Sequence, residues 1–203
     1  LRGPALISDD TGCIVLEPGW ISHVQADGTL LLTHVPCTSP EASAAGVDQN
    51  DPVQAELYRY RFMAIAEQMG ERLRQSSRSV NIRERLDFSC ALFNGQGELV
   101  ANAPHIPVHL GSMGESVQDL LQQVATGDVE DLREGDTWLS NDPFHGGAHL
   151  PDITAITPVF CGTTTPRFFV ASRGHHADVG GPSPGSMPSF STSIAEEGLL
   201  LRN

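Results

Sequence analysis

Apolar side chains return at Phe62, Ile65, Ala66, Met69 and Leu73, the three-and-four spacing of a helix that buries one stripe. Asp51-Pro52 stands just before this pattern, an N-cap carboxylate followed by a proline already shaped for the first helical turn. A helix is therefore predicted over 51–74. The short apolar run 86–93 predicts a buried strand, and Asn94-Gly95 starts a turn before Leu99-Val100. A second helix is predicted over 112–124, with Val117, Leu120, Leu121 and Val124 on one face. Strands are predicted over 136–139, 153–160 and 168–172. The 39% content of hydrophobic residues allows a real core.

Before residue 51 the character differs. Ile14, Val15 and Leu16 form a short apolar run ended by Pro18-Gly19, and Asp27-Gly28 precedes Leu30, Leu31 and Leu32 as a hairpin signal. This β-rich tail is too small to close a sheet around its own core. Residues 36–50 are small, polar and lightly charged, as in a linker. The expected organisation is a β-rich tail over 1–33, a linker over 34–50 and a mixed α/β (α+β) domain over 51–203. The apolar run near residue 200 is expected to be a core strand cut short.

Charge narrows the partners. With 25 acidic and 12 basic residues the net charge is −13, which disfavours nucleic acid and anionic membrane surfaces. No run approaches the roughly 18 apolar residues needed to span a bilayer. The start lacks both a signal-peptide pattern and an initiator Met, as expected of an internal fragment. The four cysteines, Cys13, Cys37, Cys90 and Cys161, form no CxxC pair and are expected to be reduced thiols of a cytoplasmic protein.

Candidate chemistry gathers in three loops beside predicted strands. In the first, over 141–152, Gly146-Gly147 frees the backbone, and His149 and Asp152 stand three apart around Pro151. The second, over 172–181, holds Arg173, His175, His176 and Asp178. If the two strands are neighbours, His149, Asp152 and one of His175 or His176 make a three-ligand site for Zn, Mn or Fe. Asp178 would be a further ligand or an orienting carboxylate. The competing reading is that these residues cap turns. The third loop, over 102–112, carries His105 and His109, which Pro107 keeps off a common helix face, and Ser112 is placed to cap the following helix, whose N-terminus would suit an anion. Arg83 and Arg85 offer a carboxylate clamp, or pair structurally with Glu84 or Asp87. Arg83, Arg85, His109 and Arg173 are the candidate substrate-binding residues. His149, Asp152 and His175 are the candidate catalytic ones. No Walker-type phosphate loop, GxGxxG turn or GxSxG elbow is present.

The stretches AEQMGERLRQSSRSVNIRERLDFSCALF, APHIPVHLGSM, LSNDPFHGGAHLPDITAITPVF and FFVASRGHHADVGGPSPGSMP resemble the hydantoinase B / 5-oxoprolinase family over residues 51–203. GPALISDDTGCIVLEPGW and DGTLLL resemble the end of the hydantoinase A ATPase, so the order of the two resembles the fused members of the family. The resemblance implies that the A half uses ATP to phosphorylate the amide oxygen of 5-oxo-L-proline, and that the B half completes hydrolysis to L-glutamate. It implies a divalent metal (Mn, Zn or Mg) on His149, Asp152 and His175, with His176 as the alternative third ligand. ATP would bind the half that lies outside this sequence. The remainder of the same polypeptide is the expected partner, in a homo-oligomer, expected to be a dimer. The alternatives are another cyclic amide, carboxylation of a ketone, or a noncatalytic scaffold.

Overall fold

A computed structural model describes residues 1–8, 13–35 and 52–201, in two compact units, Leu1–Asp51 and Pro52–Asn203. Of the expected linker over 34–50, His34 ends a strand and the Val35 N–H bonds Gly19 O at 2.7 Å, so the β-rich unit runs two residues further than predicted; residues 36–50 and the Asp51 cap lie outside the described residues.

The first unit is two antiparallel pairs: β1 (Ala5–Ser8) with β2 (Cys13–Leu16), and β3 (Trp20–Val24) with β4 (Leu30–His34). The Asp27-Gly28 signal closes the second pair. Asp27 Oδ1 accepts the Thr29 N–H at 3.0 Å, and Gly28 takes a φ of 85°, open to glycine at little cost. Leu16 and Ser22 are buried, whereas Ile14, Val15, Leu31 and Leu32 stay exposed.

The second unit is an antiparallel five-stranded sheet with a long helix on each face. Its strand order is β6 (Leu99–Asn102), β5 (Phe88–Asn94), β9 (Phe168–His175), β8 (Asp152–Val159), β7 (Trp138–Ser140). Helix α1 (Pro52–Ser76) packs Phe62, Ala66, Met69 and Leu73 against Leu92, Phe88 and Cys90, while Ile65 remains partly exposed at 43%. Helix α3 (Pro107–Thr126) packs Met113, Val117 and Leu120 against Phe93, Ile156, Phe169 and Ala171 on the other face. Covered on both sides, β5 is buried over six of its seven residues, which is why its sequence reads as an unbroken apolar run. The expected α+β class holds.

Several boundaries move. Strand β5 starts at Phe88 rather than 86, because the chain first turns after α2 (Val80–Arg83), with Leu86 left-handed at φ 56° and the Asp87 N–H bonded to Asn81 O. Helix α3 starts five residues before the predicted position. Pro107 occupies its first turn, where a missing N–H costs nothing, so His109 is helical and Ser112 lies inside the helix instead of capping it. Helix α3 ends at Gly127, whose left-handed φ of 80° returns its N–H to the Gln123 and Val124 carbonyls. The expected strand near residue 200 is not present among the described residues. Instead, buried Asn141 holds that backbone, donating to Leu199 O (2.8 Å) and accepting from the Leu201 N–H (2.7 Å).

The register sorts polarity along the α3 side of the sheet. Ile156 faces Ala171, Thr154 faces Arg173, and Asp152 faces His175. Helix α3 runs the same gradient, from Leu120, Val117 and Met113 to Ser116, Ser112 and His109. The apolar end is the core, and the polar end holds the candidate site residues.

Candidate metal centre

The loop between β7 and β8 is shaped by its own backbone groups. Asp142 O accepts the N–H groups of His145 (3.0 Å) and Gly147 (2.9 Å), and Asn141 Nδ2 donates to Leu150 O (2.7 Å). Gly146 has a φ of 81°, and a Cβ there would lie 2.2 Å from Ser116 N, so only glycine lets the loop close onto α3. Ser116 Oγ donates to Gly146 O at 2.7 Å. Asp152 N donates to His149 O, which turns the His149 side chain back over the start of β8.

Three donor atoms then converge. His149 Nε2 lies 3.0 Å from Asp152 Oδ1 and 3.1 Å from His175 Nδ1, and the last two are 2.8 Å apart. The two rings stack at 5.0 Å, 19° from parallel. Each ring nitrogen has a single in-plane lone pair or proton, so hydrogen bonds alone cannot satisfy all three edges of this triangle. A cation at its centre line can. An ion about 2.1 Å from each atom would see the three at roughly right angles, the two-His, one-carboxylate face of an octahedral site. The residues fit a divalent metal. Among the described residues, these three alone form such a group. The Asp152 side chain is 4% exposed and that of His149 is 31%, so the site opens on the His149 side.

His109 closes the buried side. Its Nε2 lies 3.7 Å from both Asp152 Oδ2 and Asp87 Oδ1, and its buried Nδ1 has no hydrogen-bond partner. Burial pushes the His109 pKa down, and Asp152 and Asp87 oppose that shift. His109 therefore stands behind the three converging donors rather than in an open substrate cavity.

The other sequence candidates separate. His175 ends β9 on the α3 side, and His176 falls on the next residue, outside the cluster. The His176 backbone N–H bonds Pro151 O, and burial lowers its pKa, aided by His175. Asp178 accepts from the Gly180 and Gly185 N–H groups with its two oxygens, so it caps a turn instead of binding metal. Its exposed carboxyl is held below the usual range by those bonds. Arg83 is exposed and lies 3.6 Å from Glu84, and Arg85 is exposed on the same turn. Arg173, expected to meet substrate, is fully buried, and every nitrogen of its guanidinium donates to a protein oxygen. Burial brings its pKa down to about 10, with Asp152 opposing, so it remains a cation at neutral pH. His105 lies on the opposite face of the sheet, where its Nδ1 accepts the Cys90 N–H at 3.1 Å. His145, in the glycine loop, pairs with Asp119 at 2.8 Å.

A cavity of about 360 Å³ adjoins His149, lined also by Ser186, Met187, Pro188, Ser189 and Glu197. Glu197 and the two serines are not legible as candidates in the sequence, since an isolated carboxylate or hydroxyl carries no spacing signal.

The sequence model of the Hydantoinase B/oxoprolinase family matches residues 51–203. The chain belongs to this family. It is 50% identical over 202 residues to 5-oxoprolinase 1 of Arabidopsis thaliana, covering 100% of this chain and 15% of that protein. The chain thus spans about 15% of the length of the curated relatives it first matches. The fold is similar to that of the ATP-dependent caprolactamase from Pseudomonas jessenii, at TM-score 0.64 and 29% identity, over 76% of this chain and 26% of that one. It is also similar to acetone carboxylase in a nucleotide-free structure, at TM-score 0.68 and 21% identity, over 75% of this chain and 20% of that one. For this family member, no described helix is long and apolar enough to cross a membrane.

Proposed function

We propose that this chain is a segment of an ATP-dependent 5-oxoprolinase and contributes the metal-holding part of its hydrolytic site. The reaction is hydrolysis of 5-oxo-L-proline to L-glutamate, coupled to ATP cleavage. The observation that carries the proposal is the convergence of His149 Nε2, Asp152 Oδ1 and His175 Nδ1 within 3.1 Å of one another beside an open cavity. The substrate assignment rests on the 50% identity to 5-oxoprolinase 1, which runs through both units of the chain. Residues 1–33 fit the tail of the ATPase half, because that relative matches them while the hydantoinase B family model begins only at residue 51. ATP would be bound elsewhere in the polypeptide.

His149, Asp152 and His175 would hold a divalent ion, and the right-angled donor set suits an octahedral metal such as Mn or Fe. Such an ion, when bound, supplies a Lewis acid that polarises a carbonyl or phosphoryl oxygen and acidifies water. The chain's own residues do the rest. Asp152 provides the one negative charge of the ligand set. The cavity beside His149 sets Met187 and Pro188 against the methylene groups of a small ring, and gives Ser186, Ser189 and Glu197 as partners for its polar atoms. His109 and the buried Asp152 shut water out from behind.

ATP-dependent release of glutamate from 5-oxoproline by the complete polypeptide tests the assignment, together with elemental analysis after expression with Mn or Zn. Turnover of caprolactam or a hydantoin in place of 5-oxoproline would move the activity to another cyclic amide, the reading favoured by the likeness to caprolactamase. Absence of stoichiometric metal would remove the ion from the site.

A further inference from the structure

Arg173 offers no donor to a ligand, yet its fully buried cation contacts each structural element that carries the site. Nε donates to Thr154 Oγ1 at 2.7 Å. Nη1 donates to His109 O at 3.3 Å and to Ser112 Oγ. Nη2 donates to Ser116 Oγ and to Gly146 O, both at 2.9 Å. A guanidinium has five N–H groups, and five acceptors meet them. All five acceptors are neutral oxygens, so none of these hydrogen bonds pairs the cation with an anion, and Asp152 acts on it without a direct ion pair. Burying a cation on such partners is costly, and that cost points to a geometric role.

The partners lie next to the candidate ligands in the chain. Thr154 is two residues from Asp152 on the same side of β8, and Gly146 is three residues before His149. Arg173 itself is two residues before His175 on the same side of β9. Ser116 Oγ donates to the same Gly146 carbonyl, so one serine ties the guanidinium, the helix and the loop together. We propose that Arg173 is a positioning residue: its planar fork fixes β8, β9, α3 and the glycine loop so that His149, Asp152 and His175 meet at one point. This rests on the metal reading given above. A lysine, with three donors on one atom, cannot span the five acceptors.

Arg173→Lys in the complete polypeptide tests the proposal with two readouts. In metal-free protein, hydrogen exchange at the His145, Gly147 and Asp152 amides is expected to speed by about tenfold or more, with β5 amides unchanged. In Mn²⁺ titrations followed by electron paramagnetic resonance, the dissociation constant is expected to rise about 10- to 100-fold, as when a group supporting a metal ligand is lost. Native-like exchange at those three amides, or Mn²⁺ affinity within twofold of wild type, overturns the positioning role. A wild type that binds no Mn²⁺ defeats the metal reading alone, and the metal-free exchange still decides the role of Arg173. If Arg173→Lys does not fold, Ser116→Ala replaces it. A smaller rise in exchange at the same amides supports the proposal, and no rise overturns it.

Discussion

Asp152 and His175 face each other directly across β8 and β9, with Oδ1 and Nδ1 2.8 Å apart although 23 residues separate them in sequence. The pairing is fixed by strand register, so a one-residue slip of either strand would carry its own side chain away from α3 and break the pair. His149 reaches the same point from a loop. Register thus supplies two corners of the triangle, and the glycine turn supplies the third.

If this triangle binds metal, Asp152→Asn, His149→Ala and His175→Ala should each weaken Mn²⁺ binding by at least about 100-fold, near 2.8 kcal/mol. His176→Ala should stay within a few-fold of wild type, because its ring lies outside the cluster. Calorimetric titration of the four variants checks both halves. Equal losses at His175 and His176 would reject the assignment.

Gly146→Ala should destabilise the protein by at least about 2 kcal/mol and weaken metal binding with it. The added Cβ meets Ser116 N at 2.2 Å in a backbone conformation, φ 81°, that alanine resists. Urea unfolding measures the loss. The same substitution at Gly111, an exposed position inside α3 where a Cβ would have open space, should instead raise stability by about 0.5–1 kcal/mol, because alanine is the better helix former.

Cys90 is fully buried, and burial pushes its thiol up to about 12. Iodoacetamide at pH 8 should therefore label exposed Cys161 well before Cys90, as read by peptide mass mapping. Because the folded-state pKa is raised, this group's contribution is whole below about 9 and is lost as pH climbs toward 12. The slope approaches about 1.4 kcal/mol per pH unit. Cys90→Ala should flatten that part of the stability curve.

His105 shifts the other way. Burial lowers its pKa, against a smaller opposing effect of Glu67, and its Nδ1 must stay unprotonated to accept the Cys90 N–H. Its contribution is complete above about 6.5, the unperturbed value, and is lost as pH falls through the lowered folded value. His105→Gln should make stability less steep in acid below pH 6.5, as measured by urea midpoints. An unchanged slope would show that His105 is not the group responsible.

The spacing of apolar residues was enough to place α1, α3 and the three central strands, because each element buries one face or both and its period records that burial. Glycine and proline marked the turn at Asp27-Gly28 and the loop at Gly146, where backbone conformation limits residue choice. Chain order could not separate His175 from His176. That choice belongs to strand parity: β9 ends with His175 on the α3 side, and the next residue leaves the strand. Nor could it show that Arg173 is spent on internal oxygens, or that Asp178 caps a turn, since a charged residue reads alike whether its partners are solvent, substrate or backbone. Local periodicity fixes which face a residue occupies, and only the long-range pairing of strands decides what that face meets.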